Sequence, residues 1–129
     1  MAKILIVEDA TDVAKALALR VTSRGHTPIL AADAAAGTAL AKAERPDLVL
    51  LDIAIPPDQE WGVARAGGIA VAHRLRADAD TQTIPIIFLT AGSDDTIRQT
   101  ALAMDPAGFF QKPYSADLLF QAVENALSH

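Results

Sequence analysis

Cysteine is absent from this chain, and aromatic side chains make up only 5% of its 129 residues. Without cysteine the protein has no disulfide bonds, no thiol chemistry and no zinc site built on thiolates. No apolar stretch approaches the roughly 20 residues that a membrane-spanning helix requires. The first three residues lead directly into an apolar run, which is not the pattern of a signal peptide. We therefore expect a cytoplasmic protein that is not inserted into a membrane.

Basic residues are also scarce. The chain has 11 Lys and Arg residues against 16 Asp and Glu residues, which gives a formal net charge of -5. The basic residues form no dense run, whereas nucleic-acid binding needs a basic surface that displaces counterions from phosphates. We therefore expect no direct contact between this chain and nucleic acid.

Apolar runs alternate with helical patterns along the whole chain, and hydrophobic residues make up 51% of it. This strict alternation predicts an α/β fold with a parallel sheet, right-handed crossovers and helices on both faces. The length suits one domain over residues 1–129. The patterns predict strands at residues 3–7, 27–31, 47–51, 84–89 and 107–111. They predict helices at residues 11–24, 34–44, 68–77 and 94–104, and a last helix after Ser115.

The helix patterns also predict caps and buried faces. Ser93 is the expected N-cap of the fourth helix, whose first turn would hold Asp94 and Asp95, and Ser115 is the expected N-cap of the fifth. The spacing of apolar residues predicts burial of the following side chains: Val13, Leu17, Val21, Ile69, Ala72, Leu75, Leu119, Val123 and Leu127.

Asp52 ends the buried run of residues 48–51, where an unpaired charge would cost several kcal/mol if it were core filler. The pair Glu8-Asp9 follows the first apolar run in the same way, Thr90 follows the fourth, and Lys112 follows the fifth. Since the carboxyl ends of parallel strands share one edge of a sheet, these side chains should converge there. Carboxylates, a hydroxyl and an ammonium form a coherent set for a divalent-metal site that handles a phosphoryl group.

In this order and strand context, these residues resemble the pattern of response-regulator receiver domains, the phosphorylated switches of two-component signalling. The matching motifs are the acidic pair Glu8-Asp9, the aspartate Asp52, Thr90-Ala91 and Lys112-Pro113. The likeness covers essentially the whole chain and is greatest to single-domain, chemotaxis-regulator-like receivers. It implies a flavodoxin-like, doubly wound (βα)5 fold with a five-stranded parallel sheet in the order 2-1-3-4-5.

The resemblance implies that Asp52 accepts a phosphoryl group from a sensor histidine kinase or phosphotransfer protein. It assigns Mg²⁺ or Mn²⁺ as the cofactor, held by Asp9, Asp52 and the backbone carbonyl of Ala54, with Glu8 acting mainly through water. The protein would then be a phosphoacceptor regulator rather than an enzyme, with at most metal-dependent transfer to itself and self-dephosphorylation.

The resemblance also assigns the switching parts. Lys112 would pair with the carboxylate before transfer and with a phosphoryl oxygen afterwards, and the Lys112–Pro113 bond would be cis. Thr90, with Ala91 beside it, would bind another phosphoryl oxygen. Phe109 would then swing inward and alter the face made by helix four, strand five and helix five, where an unknown downstream protein binds. Such a protein acts as a monomer or as a phosphorylation-induced dimer.

The chain departs from the family pattern at two places. The loop of residues 57–67 is longer by roughly eight residues in a fold whose loops are mostly short. The favoured interpretation is a variable surface loop with Trp61 on a local apolar patch. The alternative is a loop that covers the phosphorylation site or forms part of a partner surface, with Trp61 packing it down and Arg65 reaching a phosphoryl oxygen. Asp105-Pro106 replaces the Gly-Ala common before strand five, so helix four is expected to end differently.

Other interpretations stay open at this stage. The pair Glu8-Asp9 alone would suit a cap of the first helix, and three isolated histidines (His26, His73, His129) suit surface or helix positions. An aspartate-dependent phosphatase would need a second acid where Ala54 stands. A flavin carrier would place phosphate against Glu8-Asp9, and a receiver-like protein without phosphorylation would lack part of the set. Within the family we expect a stand-alone receiver, with a domain excised from a larger DNA-binding regulator or hybrid kinase as the alternative.

Overall fold

The computed structural model describes residues 1–55, 67–92 and 94–128. Most of the long loop, with Trp61 and Arg65, lies outside these residues, as do Ser93 and His129. Strands and helices alternate strictly in the described chain. In order they are β1 (Lys3–Val7), α1 (Thr11–Ser23), β2 (Thr27–Ala31), α2 (Ala34–Glu44), β3 (Leu48–Asp52), α3 (Gly67–Ala77), β4 (Ile86–Thr90), α4 (Asp95–Leu102), β5 (Gly108–Gln111) and α5 (Ala116–Leu127).

The five strands form one parallel sheet in the order β2-β1-β3-β4-β5, which confirms the predicted topology. β3 lies at the centre, and all five of its residues are buried. β3 and β4 run one or two residues later than predicted, because the ladder continues through Asp52 opposite Leu89 and Thr90 opposite Gln111. Both polar residues are therefore the last residues of their strands, in positions fixed by neighbouring strands.

Two hydrophobic clusters cover the two faces of the sheet, because alternate side chains of a strand point to opposite faces. Helices α1 and α5 pack on one face through residues such as Leu17, Val21 and Phe120. Helices α2, α3 and α4 cover the other face. Val13 and Leu127, predicted to be buried, are only partly buried, whereas Phe120 is fully buried on α5.

The helix starts follow capping chemistry with one correction. Ser115 caps α5 by accepting a hydrogen bond from the Leu118 N–H, as predicted. Helix α4 is capped by Asp94, which accepts from the Ile97 N–H at 3.0 Å, so the prediction that Asp94 lies inside the first turn was wrong. An aspartate caps a helix as well as a serine does, and its negative charge is favourable at the positive end of the helix dipole.

No helix within the described ranges is long and apolar enough to cross a bilayer.

Candidate functional site

Asp52 lies at the carboxyl edge of the central strand and is only 4% exposed. Its two carboxylate oxygens have different partners. The Ala54 N–H donates to Oδ1 at 3.0 Å, and Nζ of Lys112 donates to Oδ2 at 3.3 Å. Residues 60 positions apart in sequence therefore meet because β3 and β5 end at the same edge. This contact gives the buried carboxylate the charged partner that its burial requires.

Three carboxyl groups gather at the same edge. Glu8, Asp9 and Asp52 each offer an oxygen atom, and these atoms lie within 4.8 Å of one another. Asp9 is exposed, whereas Glu8 is buried and its Oε2 atom has no hydrogen-bond partner among the described residues. A buried oxygen that accepts no hydrogen bond and lies 3.6 Å from Nζ of Lys112, beside two further carboxylates, fits a hard divalent cation, which prefers oxygen ligands.

The electrostatics of this cluster follow from burial. The pKa of Glu8 is raised from 4.5 to about 8, first because the group is buried and then because it hydrogen-bonds to Asp52 and feels its negative charge. Burial alone would lower the pKa of Lys112, but the charges of Asp52 and Glu8 outweigh that effect and raise it. Lys112 is therefore charged at neutral pH, and without a bound cation the raised pKa favours the protonated form of Glu8.

Thr90 and Lys112 follow neighbouring strands and are also connected by a backbone hydrogen bond. The Lys112 N–H donates to the Thr90 carbonyl at 2.7 Å, and the Gly92 N–H donates to the Thr90 hydroxyl oxygen at 3.0 Å. The Thr90 hydroxyl oxygen therefore already accepts one hydrogen bond, and its proton points away from the Gly92 N–H. Ala91, between Thr90 and Gly92 in the chain, is exposed. The Lys112–Pro113 peptide bond is cis.

Phe109 lies on β5 beside a cavity of about 350 Å³ that Thr90 and Ala54 also line. Its ring is partly buried, with the ring of Phe88 6.5 Å away between centroids. The guanidinium of Arg98 in α4 sits over the other side, 5.3 Å from the ring centroid. Phe109 therefore connects the core, α4 and the cavity next to Asp52.

The structure does not support the alternative in which Glu8-Asp9 caps the first helix. The N-cap of α1 is Ala10, which makes no side-chain capping bond.

His26 is less isolated than expected: its Nε2 lies 2.8 Å from a carboxylate oxygen of Glu124, and its Nδ1 accepts from the Ala2 N–H. It lies at the opposite edge of the sheet from Asp52.

Sequence reasoning missed two contributors. Arg98 gave no signal, because a single arginine on a helix has no predictable partner. Gly68 was predicted only as the first residue of the third helix, since the doubled glycine at residues 67–68 indicates a turn and does not identify a contact partner. Its position against Asp52 is visible only in three dimensions.

A parallel (βα)5 fold that brings a buried aspartate, an acidic pair, a threonine and a lysine to one edge defines the class of flavodoxin-like signalling switches. The family model of the response regulator receiver domain matches residues 4–124. The chain therefore belongs to the receiver domain family, the signalling switches of two-component response regulators, which interact with histidine kinases and downstream effectors.

The relatives include both short and long proteins. The chain is 29% identical to the protein PilH of Pseudomonas aeruginosa, over 99% of each chain. It is 33% identical to the transcriptional regulatory protein AfsQ1 of Streptomyces coelicolor, over 92% of this chain but only 48% of that protein. Among solved structures, the signal receiver domain of a signal transduction histidine kinase from Syntrophus aciditrophicus matches with a TM-score of 0.84 and 27% identity, over 99% of this chain and 91% of that one.

Proposed function

We propose that Asp52 is the phosphoacceptor of this receiver, and that it takes its phosphoryl group from the phosphohistidine of a sensor kinase or phosphotransfer protein. A carboxylate oxygen of Asp52 attacks phosphorus, the phosphorus–nitrogen bond breaks, and the electron pair leaves with the histidine nitrogen. The observation that supports this proposal is the Asp52–Lys112 contact at the buried edge of the sheet.

Asp9 and Asp52, with the Ala54 backbone carbonyl, are the proposed holders of Mg²⁺ or Mn²⁺, and Glu8 supports them through water. The bound cation would supply charge neutralisation on the transferring phosphoryl oxygens. The acidic cluster supports this assignment, as does the buried Oε2 of Glu8, which accepts no hydrogen bond from the described residues.

Lys112 and Thr90 are the proposed partners of the phosphoryl group. Once one oxygen of Asp52 is esterified, the ammonium of Lys112 pairs with a phosphoryl oxygen, because the charge has moved there. The Thr90 hydroxyl already accepts from Gly92, so its own proton is available to donate to another phosphoryl oxygen. Movement of Thr90 toward that oxygen would draw Ala91 with it.

Phe109 is the proposed relay from the site to the surface. It shares a cavity with Thr90 and faces α4, so inward movement of Thr90 makes room for the ring. The change would reshape the face formed by α4, β5 and α5, where a downstream protein would bind. The presence of both PilH and AfsQ1 among the relatives is compatible with a stand-alone receiver and with a receiver inside a larger regulator.

The phosphatase alternative has no support in the site. Ala54 occupies the position of the second acid, and its N–H is used to hold Asp52. A flavin carrier is equally unsupported, because the loop after β1 presents Glu8 and Asp9 instead of a phosphate cradle.

Incubation with acetyl phosphate and Mg²⁺, followed by intact-mass and peptide mass spectrometry, tests the proposal. We expect one phosphoryl group on Asp52 in the wild-type protein, none in Asp52→Asn, and none when EDTA replaces Mg²⁺. Asp117→Asn is the matched control, since that side chain is 95% exposed on α5 and should not affect labelling. Equal labelling of Asp52→Asn and wild type would show that Asp52 is not the acceptor.

A further inference from the structure

Gly68, in the first turn of α3, lies directly against the backbone of the strand end that carries Asp52. A Cβ atom on Gly68 would overlap the Asp52 carbonyl oxygen, and it would lie 2.6 Å from Cα of Ile53 and 2.9 Å from the Asp52 carbonyl carbon. All three neighbours are main-chain atoms, so no side-chain rotation relieves the overlap. Only glycine permits this approach.

Hydrogen bonds hold the same segment from both sides. The Ile53 N–H donates to the Leu89 carbonyl of β4 at 2.9 Å, and the Ile53 carbonyl accepts from the Gly68 N–H at 3.1 Å. Two residues further on, the Ile55 carbonyl accepts from the Gly67 N–H at 2.9 Å. The short stretch after Asp52 is therefore fixed between β4 and the start of α3.

We propose that Gly68 is a positioning residue for phosphorylation, which sets the Asp52 carboxylate and the Ala54 backbone through the close contact of α3 with residues 52–53. This inference rests on the proposed function of Asp52. Asp52 and Ala54 have no freedom to adjust separately, because the Ala54 N–H holds Asp52 Oδ1 at 3.0 Å. β3 is buried on both faces and paired on both sides, so an added methyl group displaces either the strand end or the first turn of α3.

Such a displacement is expected to lower the phosphorylation rate more than it lowers the stability of the fold. Displacing a reacting group by about 1 Å can cost about a hundredfold in rate. The hydrophobic contacts of α3 begin at Ile69 and continue along the helix through Val71 to Leu75. A folded protein with a misplaced Asp52 is therefore the expected product of a substitution at Gly68.

The test compares Gly68→Ala with Gly108→Ala. At Gly108, the first residue of β5 and at the opposite edge of the sheet, the new Cβ would meet the tip of Phe110 at 3.1 Å and Ile87 at 3.5 Å. Both substitutions add one methyl group to a tight place, but only one touches the Asp52 backbone. Urea unfolding establishes conditions under which each variant is folded.

Three readouts follow under those conditions: the phosphorylation rate by acetyl phosphate at saturating Mg²⁺, the apparent Mg²⁺ affinity, and the Ala54 amide resonance without metal. For Gly68→Ala we expect a rate at least about tenfold lower, weaker Mg²⁺ binding and a shifted Ala54 amide. Gly108→Ala should keep all three near wild type. If Gly68→Ala is destabilised but phosphorylated like Gly108→Ala, the positioning role is wrong. Absence of labelling in the wild type would instead refute the proposed function.

Amide hydrogen exchange of the wild-type protein provides a measurement that does not depend on the variant folding. The Gly68 N–H should be strongly protected, because it is buried and bonded to the Ile53 carbonyl. Exchange of this amide at the rate of an unprotected one would overturn the inference even if Gly68→Ala failed to fold.

Discussion

One ammonium group at the proposed phosphorylation site faces two buried carboxyl groups. Nζ of Lys112 is 3.3 Å from an oxygen of Asp52 and 3.6 Å from one of Glu8. A single cation does not balance two buried carboxylates, so one of them holds a proton. The raised pKa of Glu8 identifies it as the protonated group. A proton and a divalent cation therefore compete for the same negative charge.

Stability without metal should consequently fall as the pH rises from about 4.5 to about 8. The folded state holds the Glu8 proton up to a pKa of about 8, whereas the unfolded chain loses it at about 4.5. The folded state binds more protons in this window, so a rising pH destabilises it, by at most about 1.4 kcal/mol per pH unit and by several kcal/mol across the window. Urea unfolding in EDTA at several pH values measures the effect.

Glu8→Gln should remove most of this pH dependence, because the glutamine amide can donate to Asp52 without titrating. Glu44→Gln is the matched control, since Glu44 is exposed and, within the described part of the chain, its ion pair is with Lys3 at 3.6 Å. Parallel pH curves for wild type and Glu8→Gln would contradict the assignment of the proton to Glu8.

At the scale of secondary-structure elements, two helices end in unusual residues. Arg45, the C-cap of α2, has φ 45°, and Asp105, just after α4, has φ 54°. Both are left-handed conformations that favour glycine, and a proline follows each residue. Asp105, which the resemblance predicts to replace a glycine, takes a glycine-like backbone. The chain after α4 therefore makes a left-handed turn without a glycine.

Arg45→Gly should stabilise the protein by about 0.5–1 kcal/mol, because glycine takes a positive φ without steric cost. The lost ion pair with Asp80 matters little, since both side chains are more than 60% exposed. Arg45→Ala loses the same ion pair but keeps the strain, so it is the appropriate control. Thermal or urea unfolding should place Arg45→Gly above Arg45→Ala; the reverse order would contradict strain at this cap.

At the scale of the whole molecule, the topology brings distant residues to one edge and also fixes where the long loop leaves and returns. The Ile55 carbonyl accepts from the Gly67 N–H at 2.9 Å, so the two described residues that flank the segment 56–66 are adjacent. A carbonyl bonded to the N–H three residues later is the hydrogen bond of a β-turn. Two residues are therefore sufficient to join Ile55 to Gly67.

Replacing residues 57–66 by one glycine, so that Ile55-Pro56-Gly-Gly67 forms a β-turn, should leave the fold and Asp52 phosphorylation intact. Proline and glycine suit the two central positions of a type II turn. Circular dichroism, thermal unfolding and acetyl phosphate labelling provide the comparison with the full-length chain. A folded variant that no longer labels would show that the segment with Trp61 and Arg65 contributes to the site.

Much of the fold was predictable because each element carries its own local signal. The boundaries of α2 and β2 were predicted to the residue, since Gly25 and Pro46 punctuate the chain beside them and the Ala-rich stretch of α2 favours a helix. Boundaries were less accurate where the signal was not local. β3 and β4 extend to Asp52 and Thr90 because neighbouring strands continue the ladder. Helix α4 begins one residue later than predicted, because the Asp94 side chain accepts the capping hydrogen bond from the Ile97 N–H.

The sequence by itself determined the order of elements and the chemical types at the strand ends, because periodicity and residue chemistry are local properties of the chain. Only the tertiary structure decided how close Lys112, Glu8 and Asp52 lie, which carboxyl group keeps a proton, and that α3 rests on the Asp52 backbone at Gly68. These depend on distances and burial between segments far apart in sequence, which no local pattern encodes.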